Sequence, residues 1–206
     1  MLWALGAFAT AALAVYASTN GAPRWEASVV RFFQTLPLPG LHEMSLALTS
    51  AGRDPLVVVL PAAAIAGLWA IGQGRLAGFL FLATLARVLA GVVKWLVDRP
   101  RPTDALVDVS YYLDGPSFPS GHVLSTTLFL GFLCYSCFHL FPHRALRLGA
   151  QAVCLAVIAL MGVARMELGA HWPTDVLGGY LIAALVLAPL ISLHRRGLAV
   201  QPTNAQ

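Results

Sequence analysis

Residues 76–97 read LAGFLFLATLARVLAGVVKWLV, an apolar run in which Arg87 and Lys94 are the only charges. That is the length an α-helix needs to cross about 30 Å of hydrocarbon at 1.5 Å per residue. Five further runs read the same way: Leu2–Ala17, Leu56–Ile71, His122–Leu140, Leu146–Val163 and Asp175–Leu193. Asp54-Pro55 opens the second of the six. No alternation of period two is visible, which argues against a membrane β-barrel. The expectation is an all-α, polytopic membrane protein with six transmembrane helices.

Composition agrees. Of 206 residues, 58% are hydrophobic and 11% charged, too little charge to cover the surface of a soluble domain of this size. No linker divides the chain, so residues 1–206 read as a single membrane-embedded domain. The first run has no basic residues ahead of it, which favours a span over a cleaved signal peptide. After it, Trp25–Leu36 mixes Glu26 and Arg31 with Val29, Val30, Phe32 and Phe33, a pattern for a helix lying in the interface. Pro37, Pro39 and Gly40 break it, and Leu41–Leu48 reads as a second short interfacial piece. The tail after Arg196 is polar. Of the three cysteines, Cys134, Cys137 and Cys154, the first two form a C-x-x-C inside an apolar helix with no matching His or Cys pair, so they read as packing residues.

The formal charge is +4, carried at the ends of apolar runs. No basic face interleaved with aromatics is present, so nucleic acid is not an expected partner. Six spans put both termini on one side. Arg75, Arg144, Arg147, Arg195 and Arg196 share that side and belong to no motif, so they place both termini in the cytoplasm.

Three polar clusters interrupt the apolar text, all at span ends on the opposite face. They are Lys94-Trp-Leu-Val-Asp-Arg-Pro-Arg101-Pro102, Phe118-Pro119-Ser120-Gly121-His122, and Ala164-Arg165 through His171 to Asp175. Lys94, Arg101 and Arg165 are cations suited to phosphate oxygens. Ser120 stands at a helix N-cap, whose N–H groups and positive dipole end favour an anion. Gly121 admits close approach to the backbone, and His122 can trade protons near neutral pH. His171 and Asp175 are four apart at the mouth of the last span, so they can meet on one face. A carboxylate holding one imidazole nitrogen leaves the other as a nucleophile. Together these residues read as a phosphoryl-transfer site built from positioning and charge.

The pattern resembles the type-2 phosphatidic acid phosphatase superfamily, which shares its site with vanadium-dependent haloperoxidases. Its motif K-x6-R-P is matched by Lys94, Arg101 and Pro102. P-S-G-H is matched by Pro119, Ser120, Gly121 and His122. S-R-x5-H-x3-D is matched by Arg165, His171 and Asp175, with Ala164 in place of the opening Ser. The resemblance implies that His171 attacks phosphorus and Asp175 orients and charges it. It implies that His122 protonates the leaving oxygen and then helps activate water. Lys94, Arg101, Arg165, Ser120 and the Gly121 backbone would hold the phosphate. No cofactor and no divalent metal is implied, and no His or carboxylate cluster has metal-ligand spacing.

The expected function is therefore a plasma-membrane lipid phosphatase with its site at the extracytoplasmic face. Undecaprenyl diphosphate comes first among substrates, then phosphatidate or phosphatidylglycerophosphate, then lipid A phosphate groups. A lipid-to-lipid phosphotransferase and an inactive lipid-binding relative are the alternatives, and oligomeric state is not legible. Arg87, seven residues before Lys94, sits about 10 Å deeper on nearly the same helix face. A charge at that depth faces a bundle interior or water. It belongs either to a structural network or to a second phosphate of the substrate.

Overall fold

The computed structural model describes residues 2–53 and 55–199. Asp54, read as opening the second apolar run, and the polar tail from residue 200 onward lie outside the described residues.

Among the described residues the architecture is entirely helical: α1 (Leu2–Thr19), α2 (Arg24–Gln34), α3 (Leu41–Ala51), α4 (Leu56–Ala70), α5 (Gly74–Leu85), α6 (Leu89–Val97), α7 (Gly121–Leu140), α8 (Arg144–Glu167) and α9 (Pro173–Ala199). A 3-10 turn, Ala86–Val88, joins α5 to α6 and centres on Arg87. Among the described residues four segments are long and apolar enough to cross a membrane: Gly74–Val97, Gly121–Leu140, Arg144–Glu167 and Pro173–Gly197. The other two expected spans are less clear-cut. The apolar part of α1, Trp3–Thr19, is shorter, and α4 reaches spanning length only together with α3, across a bend of 66°.

Burial explains which faces of these helices meet. α7 packs against α8 and α9, and α5 lies across α7 and α9. Leu76, Leu80, Leu124, Leu128, Phe132 and Leu187 form the main core at these crossings. Outward-facing residues are large and apolar as well, among them Phe8, Trp69, Trp95 and Val153. An exposed apolar belt of this extent is the surface of a protein solvated by lipid.

A second core lies under the functional end. It joins Ala27 and Val30 of α2 to Val107, Val109, Val123, Met161, Trp172 and Val176. α2 is thus more than an interfacial helix resting on its apolar face. It packs on α8 and α9, and its Glu26 is fully buried. Its other residues tether the long connection between α6 and α7. Arg31 donates to Leu106 O at 2.7 Å, and Gln34 donates to Asp108 O and to Glu167 O. Connections of this length without helix or strand are usually functional.

Candidate active site

Each of the three polar clusters is delivered by a local structural device. α6 ends at Asp98, whose φ of 45° is left-handed, a conformation Asp tolerates better than most residues. Pro100 and Pro102 then bias Arg99 and Arg101 toward extended backbone, where alternate residues share a side. α8 ends at Glu167, and Gly169 follows with φ +63°. A Cβ there would lie 2.2 Å from Asp108 O, so only glycine fits. The turn brings the His171 and Ala170 N–H groups back onto Arg165 O. α9 starts at Pro173, which carries no N–H to leave unsatisfied, and sets Asp175 in its first turn.

His171 and Asp175 meet as expected. Nδ1 stands 3.5 Å from Asp175 Oδ2, and Ser117 Oγ is 3.3 Å from the same nitrogen. The Ser117 hydroxyl also donates to Oδ2, and the Trp172 N–H donates to it at 2.8 Å. The far imidazole nitrogen, Nε2, lies 3.2 Å from an Arg101 amino group. One nitrogen is therefore held by the carboxylate and serine, while the other faces a cation. Arg101 also donates to Gly115 O, Pro116 O and Ala170 O, and Lys94 donates to Pro116 O and Ser117 O. Both cations thus sit over the same bend of the connecting loop.

His171 is buried, at 1% exposure. Burial pushes its pKa down to about 3. The Arg101 and Lys94 charges act in the same direction, against the hydrogen bond and charge of Asp175. The ring is neutral at physiological pH and has a lone pair to donate. Arg101 is lowered by burial and raised by Asp175 and Asp114, and it remains a cation at any working pH.

Ser120 occupies the N-cap of α7 with extended backbone, but its side chain makes no capping bond. The first N–H groups of α7 are left without a side-chain acceptor. Ser120 Oγ, His122 Nε2, and Arg165 Nε and Nη1 are buried without protein partners. Arg165 is fully buried; its Nη2 donates to Thr49 Oγ1, and its guanidinium lies 5.5 Å from the Tyr111 ring centroid. Buried donors left unpaired cost about 1–3 kcal/mol each, so such a cluster suits a ligand, or ordered water, that supplies acceptors. Nothing lies within 4 Å of the Cβ position of Gly121, so the backbone there is open to approach. Arg87 stands apart from this ring, in a cavity it shares with His122.

Sequence reading missed the support behind Asp175. Arg99, 1% exposed, donates to Asp175 Oδ1 at 2.7 Å, to Glu26 Oε1 at 2.7 Å and to Thr174 Oγ1 at 2.6 Å. Glu26 in turn accepts from Thr174 Oγ1 and N. The signal for Arg99 was its place beside Arg101 in a polar cluster. The signal for Glu26 was its isolation in a helix of otherwise apolar inner residues. Ser117 carried no signal beyond lying in the loop. Among the described residues no group of three His, Cys, Asp or Glu side chains could hold a metal ion.

The profile of the PAP2 superfamily matches residues 75–197, the stretch that carries all three clusters. The chain belongs to the PAP2 superfamily. It is a membrane lipid phosphatase. It is 29% identical over 182 residues to phosphatidylglycerophosphatase B of Bacillus subtilis, covering 84% of this chain and 85% of that protein. It is 28% identical over 144 residues to the putative undecaprenyl-diphosphatase YbjG of Escherichia coli, covering 67% of each. The fold matches the crystal structure of a transmembrane PAP2-type phosphatidylglycerolphosphate phosphatase from Bacillus subtilis, with TM-score 0.81, 20% identity and 98% of both chains covered. It also matches LpxE of Aquifex aeolicus, with TM-score 0.65, 23% identity, and 80% of this chain and 93% of that one covered.

Proposed function

We propose that this PAP2 phosphatase hydrolyses a lipid phosphate or diphosphate through a phosphohistidine on His171, with undecaprenyl diphosphate as the first-choice substrate and phosphatidate or phosphatidylglycerophosphate next. The observation that carries the reading is the polarity of the imidazole. Nδ1 is held at Asp175 and Ser117, and Nε2 faces the cation of Arg101.

In the first step Nε2 attacks phosphorus while the bond to the leaving oxygen breaks. Lys94, Arg101 and Arg165 balance the charge on the phosphoryl oxygens, and the N-terminus of α7 with Ser120 and Gly121 adds oriented donors. Asp175 stabilises the imidazolium that forms as the N–P bond is made. His122 gives its proton to the leaving oxygen, then takes one from the water that cleaves the N–P bond. The charge balance is supplied by side chains, and no step is routed through a metal.

The named relatives support a membrane lipid substrate. The orientation we propose has six spans, both termini in the cytoplasm and the site at the extracytoplasmic face of the inner membrane. A cysteine introduced at Thr103 should label from outside; labelling only from the cytoplasm overturns this topology. The test of mechanism is phosphate release in detergent with EDTA present, from undecaprenyl diphosphate and phosphatidate side by side. Release that survives EDTA and vanishes in His171→Ala supports the proposal. Release that persists in His171→Ala rejects it.

A further inference from the structure

A cavity of about 640 Å³ opens beside the proposed site, lined among others by Gly52, Arg53, Arg87, Gly121, His122 and Ser125. Two of its lining residues, Arg53 and Arg87, are arginines that the phosphoryl chemistry above does not use. A second, apolar hollow shares Gly52, Val57, Arg87 and Ser125 with it and continues along Leu56, Leu60, Pro61 and Phe129. The first hollow thus joins Gly121 and His122 to Arg53 and Arg87, and through Arg87 and Ser125 it meets an apolar groove between α4, α5 and α7.

Several observations assign these two arginines to a ligand. Arg87 lies midway along the Gly74–Val97 segment and is exposed to the cavity rather than packed in the core. Among the described residues no carboxylate lies within ion-pair distance of it. A charge at that depth is costly unless it faces water or an anion. The segment is interrupted by a 3-10 turn, Ala86–Val88, centred on Arg87, the kind of break that marks a functional hinge or local strain. Arg53 shares the Tyr111 ring with Arg165 of the proposed site. Its guanidinium lies 5.6 Å from that ring centroid and the Arg165 guanidinium 5.5 Å from it. His122 joins the two compartments. A Cβ on Gly52 would fall 2.6 Å from His122 Cδ2, so glycine lets the end of α3 close over the ring, and Nε2 has no protein partner.

We propose that Arg53 and Arg87 form a second anion subsite on the leaving-group side, selecting lipids that carry a further phosphate between the reacting phosphate and the tail. The inference rests on the phosphohistidine reading, because it takes His122 as the donor to the leaving oxygen. In a prenyl diphosphate, Nε2 of His171 bonds to the terminal phosphorus. The bond from that phosphorus to the bridging oxygen breaks, its electron pair stays on the oxygen, and His122 supplies the proton. The departing lipid monophosphate keeps its charge against Arg53 and Arg87, and its tail follows the apolar groove. A lipid phosphate whose leaving group is a neutral alcohol gains nothing from the two arginines.

The test compares farnesyl diphosphate with farnesyl monophosphate, which share one tail, as substrates of the purified full chain. Wild type should prefer the diphosphate in kcat/KM. The preference should fall at least tenfold in Arg87→Gln and further in the Arg53→Gln/Arg87→Gln double variant, while Arg87→Lys keeps most of it. Melting temperature in detergent is read alongside. Equal losses on both substrates, with or without lower thermal stability, overturn the subsite and return Arg87 to a structural role. No wild-type preference for the diphosphate overturns it as well. Failure of the underlying mechanism is seen separately, as phosphate release that survives His171→Ala on either substrate.

Discussion

α9 carries a buried histidine cluster near each end, and the two are built differently. Just before its start, His171 is held by Asp175 and Ser117 on one nitrogen and faces Arg101 with the other. Near its far end, His194 is just as buried, at 2% exposure. Its Nδ1 meets Tyr135 Oη at 2.8 Å, and the Tyr135 oxygen also meets His139 Nε2 at 3.2 Å. Around it stand the edges and faces of Phe79, Tyr135 and His139, with ring centroids 5.2–5.6 Å away. Among the described residues no carboxylate contacts this second cluster. A buried imidazole becomes a nucleophile when a carboxylate holds one nitrogen and a cationic pocket faces the other. His194 has a cation nearby, since Arg75 donates to its backbone oxygen at 3.2 Å, but without a carboxylate on one nitrogen it is a packing piece with one satisfied polar atom.

The sharpest way to break that contrast is to exchange the outcomes of two substitutions. His171→Ala should cut phosphate release by a thousandfold or more, the scale of losing a covalent nucleophile. His194→Phe should leave release within about threefold and act on stability instead. Comparable losses of activity in the two variants would show that the carboxylate beside His171 does not separate the sites.

Next in size is the support behind Asp175. Arg99 joins Asp175 to Glu26 with side chains wholly buried, and Glu26 comes from α2, ahead of the family match. Glu26 and Arg99 touch no reacting atom, so they are positioning residues. Glu26→Gln keeps the shape and lets Arg99 pull on Asp175 alone. We expect kcat to fall by about ten- to a hundredfold with KM little changed, the scale of a misplacement near 1 Å. A change in KM alone, or a loss explained by unfolding, would reduce the pair to structure. Removing Arg99 itself strands two buried carboxylates and should destabilise the fold by about 3–5 kcal/mol.

What was legible in the sequence follows the same division. Charges stand out in apolar text, so Lys94, Arg101, His122, Arg165, His171 and Asp175 could be singled out as candidates from local spacing, and the fold brings Lys94, Arg101, His171 and Asp175 around one bend of the connecting loop. Glu26 and Arg99 could not, because their meaning is a pairing 73 residues apart. Alone, Glu26 reads as the wet face of an interfacial helix and Arg99 as an anchor. Helix positions were legible, and their ends were less so. α8 runs past Val163 to Glu167, and α9 runs past Leu193 to Ala199. Apolarity marks where hydrocarbon begins, whereas backbone hydrogen bonding continues into the polar end. The number of spans was the least legible, since α1 and α4 are short and α4 needs α3 to reach full length.

A pH scan compares stability rather than rate. The His171 pKa lies near 3 in the fold against about 6.5 in the unfolded chain. Between those values the unfolded chain binds the extra proton, so stability rises with pH through the window. It is complete above about 6.5 and is lost as pH falls. The slope from one such proton is at most about 1.4 kcal/mol per pH unit. His171→Gln removes the titration, so its melting temperature should fall less than wild type between pH 7 and pH 5. Superimposable curves would mean that His171 titrates alike in both states, which contradicts its burial.

The smallest expected effect belongs to the far end of α9. Tyr135→Phe deletes one hydroxyl that serves His194 and His139 while keeping the aromatic contacts. A net hydrogen bond is worth about 1 kcal/mol, and His194 Nδ1 would lose its partner in a buried place. Melting temperature should drop by a few degrees, and phosphate release, measured on the same preparation, should stay within experimental scatter. The hydroxyl lies more than three helical turns from the N-terminus of α7, so nothing in its contacts reaches the phosphate ring. A several-fold loss of turnover in Tyr135→Phe would mean that the two histidine clusters are coupled through α7 and α9. In that event the separation of a chemical end from a packing end would have to be abandoned.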